Sequence, residues 1–111
     1  MQYEIREYNS KGSSPFHGWL ASLDGAVKAR VFKQLTRMEA GNLGDAKGVG
    51  DGVQELRMHL GAGYRIYYGR DGDTIIILLG GRSKRKQAAD IKAAKARWAE
   101  YRKARQNHGT D

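Results

Sequence analysis

The spacing of hydrophobic positions changes several times along this chain, and each change marks an element. Tyr3-Glu-Ile-Arg-Glu-Tyr8 alternates, which predicts a first strand with Tyr3 and Ile5 on one face. Ser14 before Pro15 is a helix start, serine capping and proline fitting the first helical position. Phe16, Trp19, Leu20 and Leu23 then recur at the spacing of one helical face. Asp24 caps a second helix with Val27, Val31, Leu35 and Met38 on its inner side, and Gly41-Asn42 ends it. The next stretch, Gly41 to Gly52, holds five glycines and reads as a mobile loop. Strands follow at Val53 to His59 and Tyr64 to Tyr68, joined by a Gly61-Ala-Gly63 turn. Arg70-Asp-Gly-Asp73 is a tight turn. Thr74 to Leu79 is apolar on both faces, so this strand is expected inside the sheet and covered twice, with Gly80-Gly81 breaking it. A last helix starts near Lys86 or Gln87 and buries Ala88, Ile91, Ala94, Trp98 and Tyr101. The order β-α-α-β-β-β-α is an α+β fold, a mostly antiparallel four-stranded sheet with a helical hairpin and a C-terminal helix. Residues 1–105 form one domain, and 106–111 are expected as a disordered tail.

The alternation also fixes a register. Pairing Met58 with Tyr64 and Leu56 with Ile66 keeps the apolar faces together, because a slip of one residue would set apolar against charged side chains. That register puts Arg57 opposite Arg65, with Glu55, His59 and Tyr67 on the same face. Like charges directly opposite destabilise a sheet. Either Glu55 and solvent screen the pair, or the pair exists to meet a phosphate.

Charge sharpens the second option. With 20 Lys and Arg against 12 Asp and Glu, the net charge of +8 favours a polyanionic partner. The absence of cysteine excludes disulfides and thiolate chemistry, and His17, His59 and His108 have no metal-ligand spacing. The start of the chain does not resemble a signal peptide, and the run Ile75 to Leu79 is too short to cross a bilayer. A cytoplasmic location, no membrane partner and no cofactor are expected.

The most basic segment is Arg82, Lys84, Arg85 and Lys86, leaving the end of the doubly covered strand beside Arg57 and Arg65. Together with Tyr67 and with Lys92 on the last helix, these are the candidate RNA-binding residues. Arg57, Arg65, His59 and Lys84 are the catalytic candidates, His59 because histidine is the residue type best suited to general acid or base work. A solvated cationic surface would look similar, and a noncatalytic RNA-binding module is one alternative. No catalytic triad, carboxylate dyad or P-loop is present. Arginine, lysine and histidine suit RNA cleavage, where the 2′-hydroxyl is the internal nucleophile and the protein assists proton transfer and stabilises charge at phosphorus.

The segments Gly52-Val-Gln-Glu-Leu-Arg57, Gly61-Ala-Gly-Tyr-Arg-Ile-Tyr-Tyr68, Ile76-Ile-Leu-Leu-Gly-Gly81, Lys84-Arg-Lys-Gln87 and Asp90-Ile91 resemble the RelE/ParE superfamily of bacterial toxins. Within it the likeness is to the phage-derived, HigB-like branch of addiction-module killer proteins. The resemblance implies a type II toxin that acts as a ribosome-dependent mRNA endonuclease (an mRNA interferase working without metal). Its implied partners are the ribosome, mRNA and a cognate antitoxin, often of helix-turn-helix type. The same superfamily holds ParE toxins, which inhibit DNA gyrase, and that is the main alternative. The tyrosine or histidine that several RelE-type enzymes carry near the C-terminal end has no counterpart here, since Tyr101 falls on the buried stripe of the last helix.

Overall fold

Five strands, one more than the hydrophobic pattern indicates, form the sheet of this computed structural model. The structure describes residues 2–61, 63–83 and 87–109, with the backbone alone at 87 and 107–109. In spatial order the sheet runs β1 (Glu4–Glu7), β5 (Ile75–Arg82), β4 (Arg65–Asp71), β3 (Val53–Arg57) and β2 (Asp45–Gly50). β1 lies parallel to β5, and every other neighbouring pair is antiparallel. The class is α+β, as expected.

β2 occupies the glycine-rich stretch expected as a mobile loop. Its connection to β3 is the two-residue Asp51-Gly52, both at positive φ (57° and 84°), which matches the twist of an antiparallel hairpin. The Leu56–Ile66 and Arg57–Arg65 pairings expected from the alternation are both present, and Met58 N–H donates to the Tyr64 carbonyl at 3.1 Å.

Helix α1 (Pro15–Ala21) is capped by Ser14, whose hydroxyl accepts from the His17 N–H at 3.1 Å. Helix α2 (Gly25–Glu39) is capped by Asp24, which accepts from the Val27 N–H at 3.0 Å. The hairpin of α1 and α2 covers one face of the sheet. There Phe16, Leu20, Val31 and Met38 pack on Leu56, Met58, Ile66, Tyr68, Ile76 and Leu78. The other face carries α3 (Gln87–Gly109), where Ala94 and Trp98 close over Val53, Tyr67, Ile77 and Leu79. β5 is thus covered on both sides, which explains its unbroken apolar run. None of the helices is long and apolar enough to cross a membrane, among the described residues.

Three expectations change here. Ala88 is exposed, so the buried stripe of α3 begins at Ile91. The expected tail from 106 is helical through Gly109, since no breaker precedes that glycine and α3 is tied to the sheet near this end by Arg105 Nε, 3.1 Å from Asp71 Oδ2. Gly80-Gly81 does not stop β5, which runs on to Arg82 past a bulge that skips Leu79. These glycines admit close neighbours instead. A Cβ on Gly81 would sit 2.2 Å from the Trp19 ring, and one on Gly80 2.7 Å from Arg97 Nη1.

The same constraint operates at Gly69, where an added Cβ would lie 2.5 Å from the Trp98 ring. Gly69→Ala is expected to cost about 1–3 kcal/mol as overpacking. Gly18→Ala, in α1 with no atom within 4 Å of the new methyl, should be neutral or slightly stabilising. Urea denaturation of the two variants checks the contrast.

Candidate functional site

On the face shared with α3, strand register sets Asp45, Arg57, Arg65 and Arg82 side by side across β2, β3, β4 and β5. Three arginines in one row span two inter-strand spacings, about 10 Å. The next row holds Lys47, Glu55, Tyr67 and Gly80. The hairpin register that sequence patterning indicates therefore extends by one more arginine, supplied by the end of β5.

Adjacent guanidiniums on a sheet repel, and the structure offsets this with a carboxylate sunk beneath them. Glu55 is fully buried, and its Oε1 lies 3.7 Å from Arg65 Nε. Tyr67 donates its hydroxyl to Glu55 Oε2 at 3.1 Å. Arg65 is further fixed by a bond from Nη1 to its neighbour Tyr64's carbonyl at 3.0 Å. Arg82 is 8% exposed, while Arg57 stands in solvent at the outer end of the row. The result grades from buried and braced at Arg82 and Arg65 to open at Arg57. Two carboxylates, Asp45 at the outer end and Glu55 beneath, against three guanidiniums leave the row cationic.

Tyr67 is where the sequence reading needs correction. It shares the arginine face as expected, but α3 covers it and leaves it 1% exposed, so no base can stack on it. Burial first, then the charge and hydrogen bond of Glu55, push its hydroxyl up to about 12, with Arg82 opposing. It is a fixed donor to Glu55 and stays protonated near neutrality.

That shift has a measurable sign. Tyrosine in the unfolded chain titrates near 10. Between pH 10 and about 12 the native protein holds the Tyr67 proton that the unfolded chain has lost, so stability falls as pH rises. Tyr67→Phe should lose less stability than the parent on going from about pH 9 to about pH 11. The slope is reduced rather than abolished, because burial also raises Tyr8, Tyr68 and Tyr101. Urea titrations at the two pH values provide the check.

His59 lies two residues beyond Arg57, with its side chain 77% exposed and Nε2 2.9 Å from Asp45 Oδ2. A carboxylate on one ring nitrogen leaves the other free to face solvent or a ligand. Lys92 is exposed on the first half of α3. Lys84, Arg85 and Lys86 lie outside the described residues. The exit of β5 toward them is pinned by Trp19 Nε1, which donates to Ser83 Oγ at 2.9 Å. Asp45, at the start of the unexpected strand β2, is the site residue that sequence reading misses.

Residues 18–106 match the family model of Gp49-like phage-derived proteins. An uncharacterized protein of Haemophilus influenzae is 41% identical over 86 residues, which are 77% of this chain and 87% of that protein. Among solved structures, a mutant of the E. coli toxin RelE in the free state superposes with a TM-score of 0.66. The match covers 87% of this chain and 98% of that one at 14% identity, a likeness of fold.

Proposed function

We propose a function for a chain that belongs to the family of Gp49-like phage-derived proteins and carries the fold of RelE: it is the toxin of a type II toxin–antitoxin pair and cleaves mRNA on the ribosome. The observation that carries this reading is the braced row of Arg57, Arg65 and Arg82. Guanidiniums held in place before a phosphate arrives stabilise charge that develops at phosphorus without reorganising during the reaction. In the proposed step the 2′-hydroxyl attacks the adjacent phosphorus and the 5′-oxygen leaves, giving a 2′,3′-cyclic phosphate and a new 5′-hydroxyl. Arg57 and Arg65 hold the non-bridging oxygens, and the buried Arg82 adds its charge behind them in the row. His59, oriented by Asp45, moves the proton. Lys84, Arg85, Lys86 and Lys92 contribute positive charge along the RNA.

Induced expression should arrest growth, and toeprinting on translating ribosomes should reveal new mRNA ends within codons. An antitoxin supplied in trans should restore growth. Arrest with intact mRNA and gyrase-dependent DNA breaks would replace this reading with a ParE-type one.

A further inference from the structure

We infer that the cleft between α2 and the β2–β3 edge is a second phosphate site, which holds the RNA backbone outside the cleavage row. The inference rests on the RNA reading above and assigns it a further point of contact. Arg30, Lys33 and Arg37 recur on one face of α2 at i, i+3 and i+7. Across a cleft of about 230 Å³ they meet Arg57 and His59, with Met58 and Leu60 also in the lining. Asp45 is the one carboxylate among the described residues lining it, and it is engaged by His59. Four permanent cations around one carboxylate repel one another until an anion arrives. Gln34 adds a donor: its amide Nε2 is buried in the wall without a hydrogen-bond partner among the described residues. An unsatisfied buried N–H is costly, and a phosphate oxygen would satisfy it.

Arg57 decides which anion. It borders this cleft and also stands at the open end of the arginine row, so one polymer can pass continuously from row to cleft. Guanidinium pairs suit phosphate geometry. A protein segment would instead need an apolar anchor. The one exposed large hydrophobic side chain among the described residues, Phe32, belongs to a different groove, between α2 and β1.

The test uses the full chain and 2′-O-methyl RNA, which lacks the nucleophile and stays uncut. Affinity is measured by fluorescence anisotropy for oligonucleotides of about 4 and about 12 nucleotides, across a salt series. Lys33→Gln together with Arg37→Gln changes two exposed helix positions at similar helix propensity, and melting confirms that the fold is kept. The long oligonucleotide should bind about tenfold more weakly and lose about 0.7 from its salt slope, one phosphate contact. The short one, which fills the row alone, should be unaffected. Unchanged binding of the long oligonucleotide, or equal losses for both lengths, would overturn the second site while leaving the cleavage row intact. A parent protein that binds neither oligonucleotide would also overturn the second site, which requires the chain to hold RNA backbone by itself, whereas the toeprint decides the cleavage reading separately. Retained RNA affinity with lost binding of a polyglutamate peptide would assign the cleft to an acidic protein segment instead.

Discussion

Arg65→Ala should abolish growth arrest on induction while ribosome binding is largely kept. Arg65 sits mid-row, directly opposite both Arg57 and Arg82, and is held by the buried Glu55 and by the Tyr64 carbonyl. A donor fixed where charge develops typically contributes about 10²–10³ in rate, roughly 3–4 kcal/mol of barrier. Contacts made only in the transition state affect rate rather than binding. Arg65→Lys should recover little, because an ammonium cannot reproduce the fork that faces Glu55 and a phosphate together. Lys92→Ala, on exposed α3, is the control for a diffuse field and should be mild. Single-turnover cleavage of ribosome-bound mRNA, read beside ribosome binding and melting, separates the effects. If Arg65→Ala and Lys92→Ala proved equally mild, the row would not be catalytic and a noncatalytic RNA-binding role would stand.

The alternation of Val53 to His59 and Tyr64 to Tyr68 is enough to set Arg57 against Arg65, because a buried face tolerates no slip. The caps Ser14 and Asp24 are equally plain, each being a local side-chain bond to the backbone. β2 is harder to see. Only Ala46 and Val49 in it are half-buried, three residues apart rather than alternating, and its glycines suggest a loop. The informative signal is Asp51-Gly52, a two-residue hairpin turn directly before a strand, which calls for a partner strand upstream. Without β2, Asp45 has no place in the site.

Arg82 and Tyr67 illustrate a different limit. Strand parity gives the face of a residue, but its depth depends on what lies above. Tyr67 is covered by α3 and Arg57 is not, although their strands are neighbours. The bulge at Leu79 further shifts which residues of β5 meet β4, so that Gly80 and Arg82 align with Tyr67 and Arg65. Simple alternation through Gly80-Gly81 does not register that step.

Glu55→Ala should be the most destabilising single change at the site. The carboxylate is fully buried beside Arg65, within reach of Tyr67, and in the row next to Arg82. Removing one member of a buried charge set leaves the others uncompensated, which typically costs roughly 3–5 kcal/mol. A small domain has only about 5–15 kcal/mol in total, so a large part of its folding free energy is at stake. A lost side chain could also act simply by leaving a cavity, and the double variant Glu55→Ala/Arg65→Ala distinguishes the two causes. If stranded positive charge is the cause, deleting Arg65 as well should restore part of the stability, and the two losses will sum to more than the double variant shows. Strict additivity in urea denaturation would mean that Glu55 acts by filling space. The brace beneath the arginine row would then have to be sought in Tyr67 and the Tyr64 carbonyl.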